Sequence, residues 1–201
     1  MKKTIILLTA ILFALQMQAQ DAMLLNRIRE VNGKVKSFEA DLTNTLVKPK
    51  KTTTPNGKLY FVKPKEFTAL FTTGNYMIVN EKKIKMDIGV FHGTFKLKDG
   101  GRMQSLSNIF LYGFQGRTLD LANENDYSLS TKTESGFHIV TAVTKKKSLL
   151  GIGYKQIVFK YHEDSLLLKE IVLYDYSGNK DSYVISNVKY DVTIDKKTFQ
   201  F

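Results

Sequence analysis

From Ser37 onward, apolar and polar side chains alternate. Phe38, Ala40 and Leu42 stand between Glu39, Asp41 and Thr43, which puts the two sets on opposite faces of a half-buried strand. Lys58 to Val62, Phe67 to Thr72, Tyr76 to Asn80 and Ile84 to Asp87 follow at short intervals, with Phe95-Lys96-Leu97 behind them. The second half repeats the habit in Tyr127 to Thr133, Phe137 to Val143, Ile157 to Tyr161, Leu166 to Tyr174 and Ser182 to Val192. Pro55-Asn56-Gly57, Glu163-Asp164 and Ser177-Gly178-Asn179 read as the turns between them.

Two segments keep a helical period instead. Leu24, Ile28, Val31 and Val35 recur at helical spacing behind Asp21, a candidate cap, with Asn32-Gly33 weakening the end. Gln104 to Phe114 carries Leu106, Ile109, Phe110, Tyr112 and Phe114. The pattern predicts a meander of about ten antiparallel strands with two helices packed on one face of a curved sheet. Such a meander curls into a barrel or half-barrel.

The first residues belong to a different regime. Lys2 and Lys3 precede an apolar stretch from Thr4 to Leu15, then a polar segment ending in the small residue Ala19. This is the form of an export signal, with cleavage expected after Ala19. The stretch is shorter than the roughly twenty residues a spanning helix needs, although an uncleaved N-terminal anchor is the rival reading. No cysteine follows, so lipid attachment at a lipobox is excluded. The remainder, 20–201, is expected to form a single domain.

Composition adds exclusions. With no Cys among 201 residues there is no disulfide scaffold, no zinc-thiolate site and no thiol nucleophile. The net charge is +11, to which Lys2 and Lys3 contribute two. In an exported protein such charge suits anionic headgroups or an acidic partner better than nucleic acid, and its spread along the chain equally suits a solvated surface. His92, His138 and His162 are scattered, and neither HExxH nor GxSxG occurs. Asp175, Ser177, Asn179 and Asp181 resemble half of a calcium loop. No acidic residue closes it, and a hairpin whose Asp and Asn cap their own backbone explains it better. Neither catalytic residues nor metal ligands nor a cofactor are therefore expected.

What remains is apolar supply: 13 Phe and 10 Tyr, gathered on the strands and the later helix. That is either an ordinary core or the lining of a cavity for a hydrophobic ligand. Periodicity does not choose between them.

The chain resembles the LolA-like family of periplasmic lipoprotein-localisation carriers of diderm bacteria. After the export signal and short helix, Val35-Lys36-Ser37-Phe38-Glu39-Ala40-Asp41-Leu42 is similar to the family's first strand. Gly57-Lys58-Leu59-Tyr60-Phe61-Val62-Lys63-Pro64-Lys65-Glu66-Phe67 resembles its next strand and basic-Pro-x-x-Phe turn. Leu168 to Asp175, Ser177-Gly178 and Ser182-Tyr183-Val184-Ile185 are similar to its last hairpin, and Val192 to Phe201 to its final segment. Lys63 stands where the family commonly has Arg, and Asn80-Glu81-Lys82-Lys83 lacks the usual Asp-Gly.

The resemblance implies an unclosed half-barrel, a single curved antiparallel sheet covered by the N-terminal and central helices, and a non-enzymatic, monomeric periplasmic carrier. Its partners would be acylated lipoproteins or another lipid, an inner-membrane releasing complex and an outer-membrane acceptor. A receptor or sensor binding lipid as a signal on the same half-barrel is the alternative, as is a carrier of a different amphiphile. An enzyme acting on envelope lipid finds no acid, base or nucleophile cluster. The cavity would be lined by Phe38, Ala40, Leu42, Leu59, Phe61, Phe67, Ala69, Phe71, Leu106, Ile109 and Phe110. By the resemblance, Lys63 links the sheet to a covering helix, and Phe67 supports transfer to the acceptor. Phe67 is accordingly expected on the turn and partly exposed. For Lys63 the expected partners are carbonyls at the end of the Gln104–Phe114 helix, the alternative being a lysine that snorkels to water.

Overall fold

The computed structural model describes residues 21–88, 91–98, 101–124, 127–145 and 153–201; the expected export signal, residues 1–19, lies outside them. A helix, α1, occupies residues 21–34. Twelve strands follow: β1 Ser37–Lys48, β2 Lys51–Thr53, β3 Asn56–Val62, β4 Glu66–Phe71, β5 Tyr76–Val79, β6 Lys83–Ile88, β7 Phe91–Lys96, β8 Tyr127–Glu134, β9 Phe137–Thr144, β10 Tyr154–His162, β11 Leu168–Asp175 and β12 Lys180–Tyr190. Helices α2 (Arg102–Phe114) and α3 (Leu119–Glu124) separate β7 from β8, and a 3₁₀ turn, η1 (Lys196–Phe199), comes last.

All strands join one antiparallel sheet in the order β7-β6-β5-β4-β3-β1-β12-β11-β10-β9-β8, with the short β2 beside β1. Both halves are meanders in which each strand pairs with its sequence neighbour, and the β1–β12 ladder joins them in the middle. Since β7 and β8 form opposite edges, α2 and α3 carry the chain from one side of the sheet to the other. The sheet does not close.

Apolar side chains alternate onto one face, where the pairing registers align them in rungs. Phe38, Phe61, Phe67, Val79 and Ile84 form one rung across β1, β3, β4, β5 and β6. Ala40, Leu59, Ala69, Met77 and Met86 form the next, and Leu42, Gly57 and Phe71 the third, with Ile185 on the other side of Leu42. These apolar side chains are all buried. The face is polar on its other side, where Lys58 pairs with Asp41 at 2.7 Å.

Several boundaries differ from the sequence expectation for physical reasons. Asn56 and Gly57 lie inside β3 rather than in a turn. The backbone of β4 passes so close that a Cβ at Gly57 would stand 2.2 Å from the Leu70 carbonyl oxygen, a contact only glycine permits. Asp21 is already helical and accepts a hydrogen bond from Thr131 instead of capping. Asn32 does not loosen α1. Its side-chain amide is buried, bonding the Ile28 and Leu166 carbonyls, each at 2.8 Å, and so fastens α1 to the β10–β11 turn.

Candidate functional site

The inner face of the sheet is roofed by α2. Phe110 and Phe114 project from it at helical spacing onto the first rung. Phe114 meets Phe38 and Phe61 at 5.4 Å and Phe67 at 5.5 Å between ring centroids, and Phe110 meets Phe67 at 5.5 Å. On the far half of the sheet, Phe110 stands edge-on to Tyr183 at 5.1 Å. The two phenylalanines thus plug the interior across the join between the meanders.

The end of α2 sits directly on the sheet. Gly113 is the reason: a Cβ there would come within 2.9 Å of Ile171 and 3.0 Å of Phe159. Its carbonyl accepts a 3.2 Å hydrogen bond from the buried Tyr161 hydroxyl, whose pKa burial pushes up. Just beyond, Gly116 takes a left-handed conformation (φ 65°) against the backbone of α1, where a Cβ would lie 2.5 Å from the Ile28 carbonyl oxygen. The turn that ends α2 therefore meets α1 backbone to backbone.

Beneath α2 lies a wholly apolar cavity lined by Leu42, Leu59, Phe67, Ala69, Phe71 and Met77 from the sheet's first half, Phe110 and Phe114 from α2, and Ile171, Tyr183 and Ile185 from the other, with Ile88 at one side. Its volume is about 10 Å³, roughly the room one water needs and far below the 300–1,000 Å³ or so of an ordinary ligand pocket. The interior is closed. What surrounds the void is deformable, however: the second rung combines two alanines with Met77 and Met86, flexible side chains that refill irregular gaps.

Most of the expected lining converges here. Leu42, Leu59, Phe67, Ala69, Phe71 and Phe110 line the cavity. Phe38, Ala40, Phe61 and Ile109 are buried in the surrounding core, and Leu106 packs against it half-buried. Phe67 corrects an expectation. It is the second residue of β4, with only 1% of its surface exposed, because alternation turns its ring inward under Phe110 and Phe114.

Lys63 corrects another. Its ammonium donates to the Gly33 carbonyl in the last turn of α1, not to α2. A cation does meet the negative end of a helix there, but of the other helix. The end of α2 is held from the adjacent residue, where the Gln115 side-chain amide donates to the Pro64 carbonyl at 2.9 Å. One turn, between β3 and β4, thus grips both covering helices. Sequence reasoning missed Gln115, whose signal was a glutamine set among apolar residues at the helix end.

The interior turns polar at one end. Along β1 the inward positions Phe38, Ala40 and Leu42 are buried, Asn44 and Leu46 half-buried, and Lys48 exposed. Beside Asn44 on β12 stands Tyr183, whose hydroxyl donates to Asp181 Oδ2 at 2.8 Å. The Asn44 amide donates to Asp181 Oδ1. Burial pushes the Asp181 carboxyl above its ordinary range, against the lowering pull of these two hydrogen bonds and of Lys48, while Asp175 adds to the rise. The neighbouring loop is the expected hairpin: Asp175 accepts from the Asn179 backbone N–H at 2.8 Å and from its amide at 2.6 Å. Among the described residues, His92 faces Asp87 at 2.6 Å, His138 faces Thr133 at 2.7 Å and the His162 ring packs tilted against Phe137. No three acidic or histidine side chains among them could hold a metal ion together.

A family model described as outer membrane lipoprotein carrier protein LolA matches residues 33–201. Among solved structures, a LolA superfamily protein from Nitrosomonas europaea is 10% identical with a TM-score of 0.46, covering 90% of this chain and 97% of its own. An outer membrane lipoprotein-sorting protein domain from Vibrio parahaemolyticus is 8% identical with a TM-score of 0.45, covering 88% and 94%. The MucA/MucB complex of Pseudomonas aeruginosa contains a chain 12% identical with a TM-score of 0.49, covering 90% and 61%. No curated protein sequence matches the chain.

Proposed function

The chain belongs to the LolA family of outer membrane lipoprotein carrier proteins, and from that premise we propose that it binds the acyl chains of lipoproteins beneath α2 and ferries them through the periplasm from the inner to the outer membrane. No helix among the described residues is long and apolar enough to cross a membrane. The donor would be an inner-membrane releasing complex and the acceptor an outer-membrane protein, with the carrier acting as a monomer and performing no chemistry on its cargo.

The observation that carries the reading is the apolar cavity between the rungs of β1, β3 and β4 and the two phenylalanines of α2. Each methylene of an acyl chain left in water costs about 0.8 kcal/mol, so a carrier must offer comparable apolar surface during transit. This interior offers it only when Phe110 and Phe114 withdraw, since the closed cavity admits little more than a water. Loading is then an exchange in which the acyl chain takes the place of the two rings on the same rungs. Release is the reverse, driven by the rings closing back over Phe67. The β3–β4 turn sets how readily this happens, because Gln115 ties the end of α2 to it and Lys63 the neighbouring α1.

Mass spectrometry of what co-purifies from native periplasm tests the proposal. Acylated peptides support it. A single small lipid in their place would make the chain a carrier or sensor of a different amphiphile, and an empty protein that fails to bind a lipophilic dye would overturn lipid binding.

A further inference from the structure

The half-buried carboxylate of Asp181 has no part in roofing or latching the interior. It sits one rung beyond Tyr183 on the inner face, paired across to Leu46 and Leu173. Both of its oxygens take hydrogen bonds from neutral donors, Asn44 and Tyr183, and among the described residues no lysine, arginine or histidine forms an ion pair with it. A carboxylate offers about four acceptor sites, so two fixed donors orient it and leave the rest of its capacity open. Withdrawing such a charge from water without a cationic partner is costly.

Tyr183 connects this group to the cavity. Its ring lines the apolar void and meets Phe110, while its hydroxyl holds Asp181. A chain lying against that ring would bring whatever it is attached to beside the carboxylate, at the point where the inward residues of β1 pass from buried to exposed.

We infer that Asp181, held by Asn44 and Tyr183 at the rim of the apolar interior, receives the primary ammonium of a bound acyl amphiphile. The inference rests on the lipid-binding reading above and specifies the head that accompanies the tail. An ammonium there gains hydrogen bonds in which both partners are charged, a hydroxyl one in which only the carboxylate is, and a phosphate is repelled. The amino terminus of an acylated peptide and the headgroup of an aminophospholipid share this chemistry. Lys48 and Asp175 are the other charged groups acting on the carboxylate; Lys48 opposes an incoming cation and Asp175 favours one.

Displacement of a lipophilic dye from the purified protein at neutral pH tests this with matched probes. Hexadecylamine is compared with hexadecanol, a palmitoylated peptide with a free amino terminus with its N-acetylated form, and lysophosphatidylethanolamine with lysophosphatidylglycerol. The expected result is a preference of about tenfold for the amine of a pair, the gain from a charge on the donor as well as the acceptor, falling to near one in Asp181→Asn. A larger ratio for the peptides identifies an acylated amino terminus as the ligand, and a larger ratio for the lysolipids an aminophospholipid. Circular dichroism checks the fold; if Asp181→Asn is not folded, Asn44→Leu, which removes one of the two fixing donors, is expected to lower the ratio instead. Equal displacement by amine and alcohol in the native protein, or a preference that survives in the folded variant, overturns the inference and leaves lipid binding standing. Failure of every probe to displace the dye overturns both.

Discussion

Gln115, one residue past α2, donates its side-chain amide to the carbonyl of Pro64 at 2.9 Å, next to the lysine that holds Gly33 in α1. Two helices that share no strand are thus tied to one turn, by separate hydrogen bonds on neighbouring residues. Their effects are separable. Lys63→Leu is expected to lower hydrogen-exchange protection in the last turn of α1 and to spare α2, while Gln115→Leu does the reverse. Loss of protection in α2 alone on changing Lys63 would contradict this division.

Phe67 is a core residue. Its ring is enclosed by Phe110 and Phe114, so Phe67→Ala should cost roughly 3–5 kcal/mol in denaturant unfolding. A polar replacement should cost at least as much. A variant that melts like the native protein yet fails to deliver cargo would restore the exposed transfer role that its place beside the turn suggested.

Gly113 controls how closely α2 seats. Gly113→Ala drives a methyl group into Ile171 and Phe159, and overpacking of this kind typically costs about 1–3 kcal/mol. Because the strain falls at the roof, the variant should take up a lipophilic dye faster than the native protein while unfolding at lower denaturant. Stopped-flow fluorescence measures the first and circular dichroism the second. Slower uptake with lowered stability would mean that α2 does not gate the interior.

Asp181 gives a pH dependence of definite sign. Burial raises its carboxyl in the folded state above the ordinary value it keeps when unfolded. The folded protein therefore holds a proton that the unfolded chain has released, and this contribution to stability, complete below the unfolded value, is lost as pH rises through the raised one. Thermal melts of the native protein and of Asp181→Asn should diverge across that window, the native protein losing stability relative to the variant toward neutral pH. Parallel curves would show that the carboxylate is as comfortable folded as unfolded.

The inner rungs could be read from the sequence because a period of two needs no knowledge of partners. Phe38, Ala40, Leu42, Leu59, Phe61 and Ala69 all turn inward, as their alternation requires. The three residues of β2, Lys51 to Thr53, carry no apolar side chain and exist because β1 offers them an edge. The six-residue α3 and the 3₁₀ turn η1 are too short to show a period. Lys63 shows the deeper limit. Its inward position and its need for a carbonyl partner follow from local pattern, but whether α1 or α2 supplies that carbonyl depends on strand order. Strand order arises from contacts between distant segments, which periodicity does not encode. Likewise the cluster of Asn44, Asp181 and Tyr183 unites residues at opposite ends of the chain through the β1–β12 ladder. Of its members only Asp181 stood out, and then as part of a turn.

That ladder governs the order in which the protein assembles. The first strand to emerge, β1, can pair early with β3 on one side, but its other flank stays bare until the last strand, β12, has emerged as well. The meander of β3 to β7 can zip up locally in the meantime, and β8 to β12 can do the same later. Neither half has a complete interior alone, since Phe110 of the intervening helix needs Phe67 from one and Tyr183 from the other. Closure over so long a stretch of chain is slow, and until it happens the exposed edge and face of β1 are open to wrong partners. A nascent chain of this design is therefore one that benefits from being kept apart from its neighbours until its final hairpin arrives.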